Sequence, residues 1–101
     1  MRFQNKRLKD KSNTHALEVS CAHCKTPVLI YQKGGNGGLI KIQIPRVIEA
    51  MENIWEMTGE LTCPKCGASL AKRGEYQERP TFWVTRGQIN TTKLSRYQYP
   101  K

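Results

Sequence analysis

Cys21-Ala22-His23-Cys24 and Cys63-Pro64-Lys65-Cys66 contain all four cysteines of the chain. A Cys-x-x-Cys pair presents two sulfurs from one tight turn, and two such turns complete a tetrahedral shell around a soft divalent ion. The matched spacing favours metal binding over buried free thiols, and no βαβ pattern surrounds either pair as a thioredoxin-like redox site would need. Gly67 follows the second pair, where a positive φ lets backbone N–H groups aim at thiolate sulfur. The first pair is followed by Lys25 instead, which predicts a looser turn with a cation near the thiolate charge. His23 lies between two cysteines that already fit the shell, so it is expected to face solvent, and His15 takes no role.

Four sulfurs leave no open position for water or substrate, so the ion is expected to act as scaffold and not as catalyst. Other chemistry is absent from the sequence. There is no glycine-rich loop followed by Lys-Ser/Thr, no His-Glu-x-x-His, and Asp10 is the only aspartate. The chain is therefore expected not to be an enzyme. Gly34-Gly35-Asn36-Gly37-Gly38 precedes a strand-like run and not a helix, so it reads as a turn before a phosphate loop.

The elements that must position the sulfurs follow from periodicity. Residues 15–20 alternate apolar and polar, as a half-buried strand does, and run into the first pair. Residues 27–33 and 39–44 are rich in β-branched residues and flank the glycines, which predicts a hairpin. Pro45 suits the first turn of a helix. Val47, Met51, Ile54 and Trp55 then recur at helical spacing, with Glu49, Glu52, Asn53 and Glu56 opposite and Gly59 as the stop, so an amphipathic helix is predicted over 46–58. Two more strands are predicted at 69–77 and 80–85; of the adjacent Phe82 and Trp83, at least one is expected in the core.

With 101 residues the chain is long enough for one compact domain. The formal charge is +9, and it is unevenly spread. Arg2, Lys6, Arg7, Lys9 and Lys11 face only Asp10 at the start, and Arg86, Lys93, Arg96 and Lys101 face no acid at the end. The expected organisation is a basic tail over 1–13, a near-neutral domain over 14–86 and a second basic tail over 87–101. No stretch approaches the ~20 apolar residues that span a bilayer, and MRFQNKRLKDK lacks the apolar centre of a secretory signal. A cytoplasmic protein with no membrane partner is expected, a setting that disfavours disulfides.

The paired knuckles resemble those of the zinc-ribbon superfamily, and Cys-Pro-Lys-Cys-Gly at 63–67 also looks like a rubredoxin knuckle. The ribbon resemblance covers roughly 15–85. It implies a small α+β fold, an antiparallel zinc-ribbon sheet with the amphipathic helix inserted between the knuckles, and one structural Zn2+ held by Cys21, Cys24, Cys63 and Cys66. Three functions follow from the residues. The first is nucleic-acid binding, to RNA or a ribonucleoprotein of the ribosome-associated type, through Arg2, Lys6, Arg7, Lys9, Lys11, Arg86, Lys93 and Arg96, with Tyr97 and Tyr99 stacking on bases. The second is a protein-interaction adaptor on the transcription or translation machinery, using the acidic face of the helix over 46–58. The third is a rubredoxin-like electron carrier, since four thiolates suit iron as well as zinc.

Overall fold

Runs of Val, Ile, Leu and aromatic residues in this chain are short and interrupted by turn formers, a pattern that suits strands. The computed structural model, which describes residues 1–6, 8, 13–35 and 37–98, is all-β. Its strands are β1 (Phe3–Gln4), β2 (Thr14–Cys21), β3 (Pro27–Gly34), β4 (Lys41–Gln43), β5 (Val47–Ala50), β6 (Glu60–Thr62), β7 (Ser69–Tyr76), β8 (Arg79–Val84) and β9 (Ile89–Leu94). Single 3-10 turns occupy Ile44–Arg46 and Ile54–Glu56. The strands form two antiparallel sheets, in the orders β1-β5-β3-β2-β9 and β4-β8-β7-β6.

The two sheets share one core. Val19, Leu29, Tyr31 and Val47 from the first meet Ile42, Leu61, Leu70, Ala71 and Phe82 from the second. Because side chains alternate along a strand, β2 and β3 also carry a second apolar patch. Ala16, Ile30 and Ile48 form it, and Leu8, Leu94 and Tyr97 pack against it. The Tyr31 hydroxyl joins the sheets within the core, accepting a hydrogen bond from the Gln43 amide at 3.0 Å. Burial raises the Tyr31 pKa, opposed by that amide and by Arg46, so the phenol stays neutral.

The amphipathic helix predicted over 46–58, and with it the α+β class, is not formed. Val47 and Ile48 are adjacent and β-branched, and both are buried, at 0% and 1% exposure. A helix with one apolar face covers only one of two neighbours, whereas a strand packed on both faces covers both. Residues 47–50 accordingly form β5 between β1 and β3. A helix of that length is marginal in water without a packed face, and two strand partners outweigh it. The turn at Ile54–Glu56 is closed by the Asn53 side chain, which accepts from the Trp55 amide at 3.1 Å. The acidic face dissolves as well. Glu49 in β5 receives the N-terminal amine at 3.0 Å and the Tyr97 hydroxyl, while Glu60 lies in β6.

The glycine run joins β3 to β4 but makes no hairpin, because the two strands belong to different sheets. Five residues of Gly and Asn are more than a tight hairpin turn uses, and they let the chain cross between layers. The tight hairpin lies between β7 and β8 instead. There Gln77 and Glu78 both take positive φ, 49° and 64°, with Tyr76 paired to Arg79.

Ile89–Leu94, read from the sequence as part of the tail over 87–101, pairs with β2 from Ala16↔Leu94 to Cys21↔Ile89. Phe3–Gln4, read as part of the tail over 1–13, pairs with β5. Removal of residues 88–101 strips β2 of one ladder and uncovers the Ala16 patch. The expected outcome is a fall in melting temperature of about 10 °C or more, or loss of a cooperative transition, measured by calorimetry on the metal-loaded protein.

Candidate metal centre

Two turns of like construction bring the cysteines together. In the first, the Cys21 amide donates to the Thr26 carbonyl at 3.0 Å and the Lys25 amide to the Cys21 carbonyl at 2.9 Å. In the second, the Cys63 amide donates to the Ala68 carbonyl at 2.9 Å and the Gly67 amide to the Cys63 carbonyl at 3.0 Å. Lys25 and Gly67 are thus equivalent positions, and both are left-handed, with φ 66° and 77°. The first turn is not looser. Lys25 adopts the conformation that Gly67 adopts freely, and its ammonium donates to the Ala22 carbonyl at 3.0 Å.

All four sulfurs lie within 4.8 Å of one another. Cys24 Sγ is 3.4 Å from Cys63 Sγ, and Cys21 Sγ is 3.6 Å from Cys66 Sγ. These separations rule out disulfide bonds, and the cysteines are free. A regular tetrahedron with metal–sulfur bonds of about 2.3 Å has edges of about 3.8 Å, close to both contacts. The set can hold one metal ion, in an arrangement compatible with a zinc-ribbon-like site. Each turn supplies one sulfur to each close contact, so an ion here ties β2 of one sheet to β6 and β7 of the other.

The sulfurs are unlike one another. Cys24 is lowered to about 6, first by the Thr26 side chain, whose Oγ1 lies 3.1 Å from the sulfur, and next by the Thr26 amide. On Cys66 the Ala68 amide acts downward, but desolvation and the thiols of Cys21, Cys63 and Cys24 outweigh it and raise the group to about 11. Thr26 is a contributor that the sequence reading missed, although a hydroxyl two residues past a Cys-x-x-Cys pair is a readable signal. His23 is exposed, as expected, and its Nε2 contacts the Gln88 side chain. Gln88 also accepts from the Ala22 amide at 3.0 Å, which secures the first turn from the start of β9.

Of the residues expected to touch nucleic acid, Arg2 precedes β1 and Lys93 lies in β9, the two opposite edge strands of the first sheet. Arg2, Lys6, Arg86, Lys93 and Arg96 are exposed. Lys93 lies on β9 opposite Leu17 and lines a cleft of about 270 Å³ with His15, Lys33 and the glycine loop. Tyr97 is half-buried in the Ala16 patch with its hydroxyl on Glu49, so its ring is occupied by packing. Arg7, Lys9, Lys11 and Tyr99 lie outside the described residues. The sequence reading missed Lys33, Lys41 and Arg46, which line a second cleft, of about 140 Å³, beside the glycine loop. Their signal was a run of strand residues bearing cations without acids between 27 and 46. No described helix is long and apolar enough to cross a membrane.

Two outcomes test the centre. Lys25→Gly removes a left-handed lysine, worth about 1 kcal/mol, and is expected to raise the melting temperature of the metal-loaded protein by about 4–8 °C. Metal binding requires thiolates and releases protons from any thiol that still carries one. Cys24, at about 6, has already lost its proton at neutral pH, whereas Cys66, at about 11, has not. Zinc affinity, measured by chelator competition corrected for chelator protonation, should therefore climb at least tenfold per unit between about pH 7 and pH 9. A plateau at pH 8 would place the Cys66 thiol wrongly.

No protein-family model, no curated protein and no solved structure matches the chain.

Proposed function

We propose that this chain is a non-enzymatic, zinc-bound β-domain that binds nucleic acid, with unpaired RNA as the preferred form. One observation carries the reading: among the described residues no lysine or arginine side chain pairs with a carboxylate, the ion pair there being the N-terminal amine with Glu49. With 17 Lys and Arg against eight acids, positive charge is left available to a polyanion. Neutralising several phosphates releases their counterions, and that release drives association.

The choice of metal and of nucleic acid follows from chemistry. A filled tetrathiolate shell that joins two sheets calls for a redox-silent ion tolerant of tetrahedral geometry, which is zinc. Bases of single-stranded RNA are open to stacking on an exposed aromatic ring such as Trp83, whereas duplex bases are already paired and stacked on one another. The adaptor reading lost its helix face, and the electron-carrier reading has the shared donor set as its support.

The test is affinity of the zinc-loaded chain for single-stranded and duplex RNA across a salt series. A protein that neutralises about four phosphates should lose about a hundredfold in affinity between 50 and 200 mM salt, with single strands bound more tightly than duplex. Affinity independent of salt would sink the proposal.

A further inference from the structure

The outward face of the second sheet carries a row of side chains in register. Glu60 pairs across from Lys72, Lys72 from Trp83, and Trp83 from Lys41, in the order β6-β7-β8-β4. Phe82, the neighbour of Trp83, points inward and is fully buried, while Trp83 is 39% exposed. Gly74 makes the placement of the indole possible. A Cβ at that position would stand 2.9 Å from Trp83 Cδ1 and 3.0 Å from Nε1, so the ring lies against bare backbone. Tyr76 meets it edge-on, with centroids 5.9 Å apart and planes at 77°. The Lys41 ammonium lies 4.4 Å from the centre of the Tyr76 ring.

The row continues past the edge of β4. Lys41 also lines the cleft of about 140 Å³, together with Lys33, Arg46, Tyr31 and the backbone of Gly34 and Gly38. Among the described residues no carboxylate lines that cleft. The Arg46 guanidinium lies over the Tyr31 ring at 5.8 Å, and its Nε is buried without a hydrogen-bond partner. A buried guanidinium N–H left unpaired is costly, so Arg46 has donor capacity that no described residue uses. Charge therefore changes along the row, from Glu60 at one end to three cations at the other.

We infer that this face is the single-strand binding site, with one base stacked on Trp83 and the adjoining phosphates held by Lys41, Lys33 and Arg46. The inference rests on the nucleic-acid reading above and assigns it a place. Trp83 presents a rigid ring, pinned by Gly74 and Tyr76, so little side-chain freedom is lost when a base stacks on it. Lys72 and Lys41 flank the ring on both sides, where the backbone of a strand crossing the sheet would run. Glu60 repels phosphate and ends the footprint at β6. Stacking of this kind tolerates any base, so the site selects for unpaired strand before sequence.

The experiment uses the full, zinc-loaded chain and a labelled oligouridine of about ten nucleotides, a length suited to a single small domain. Trp83→Ala should weaken binding about tenfold or more, Trp83→Phe should restore most of it, and Lys41→Ala should weaken binding and lower the salt slope by about one. Lys65→Ala, on an exposed cation of the second knuckle that lies neither in this row nor in the cleft, should change affinity less than about twofold. Trp55→Phe leaves Trp83 as the sole tryptophan, and its fluorescence should be quenched on RNA addition even if Trp83→Ala folds poorly. Salt-dependent RNA binding that is insensitive to Trp83→Ala and brings no quenching would overturn this site and leave the nucleic-acid reading standing. No RNA binding at low salt would overturn both.

Discussion

The four-sulfur junction is the constraint on which the arrangement of the sheets depends. β2 delivers Cys21 at the end of the first sheet, and β6 and β7 flank Cys63 and Cys66 in the second. Residues 25–62 lie between the pairs, so without an ion the junction would have to be held by the shared core alone. The short strands β4 and β6 contribute one buried residue each to that core, Ile42 and Leu61. A structural tetrathiolate supplies on the order of 10 kcal/mol or more of binding free energy, comparable with the whole stability of an ordinary domain. An ion bound there would set how the layers face each other, with the apolar contacts filling the space between them.

The parts legible in sequence were those governed by local rules. Matched Cys-x-x-Cys spacing marked all four sulfurs, period-two alternation marked β2, a β-branched run marked β3, and β7 and β8 lie where strands were expected at 69–77 and 80–85. The parts that failed were decided by partners distant in the chain. Residues 46–58 have a helical period, yet adjacent Val47 and Ile48 are both buried, Val47 in the core between the sheets and Ile48 in the Ala16 patch on the opposite face. Residues 89–94 are Ile-Asn-Thr-Thr-Lys-Leu, too polar to announce a core strand. They need only bury Ile89 in part against the shared core and Leu94 in part against the Ala16 patch, at the edge of the sheet. Lys25 was misjudged for a related reason: the hydrogen bonds that close the turn impose its left-handed backbone whatever the side chain prefers.

The fold separates its chemistry along the strands. Cys21 closes one end of β2, while His15, paired with Lys33, lies six residues away at the other. At about 3.3 Å per residue that is roughly 20 Å. The thiolate charge and the cationic clefts are therefore well beyond a Debye length of about 8 Å at physiological salt. An anionic tetrathiolate would otherwise cancel part of the attraction that Lys33, Lys41 and Arg46 exert on phosphate. His15 reports the same local field: burial lowers its pKa first, and Lys93 and Lys33 lower it further, so it adds no charge at neutral pH.

Distance does not make the two ends independent, because the second sheet transmits position from one to the other. β7 starts at Ser69, directly after the turn that carries Cys63 and Cys66, and it holds both Lys72 and Gly74. β8 returns beside it with Trp83 in register with Lys72. The second knuckle therefore fixes the strand on whose bare backbone the indole rests. Loss of the ion would free β6 and β7 to shift, and a displacement of even one residue would place a side chain where Gly74 now leaves room. In this architecture a metal bound by the four sulfurs need not touch a ligand to govern the proposed binding, since it would hold the register that keeps the Trp83 ring exposed and flanked by Lys72 and Lys41.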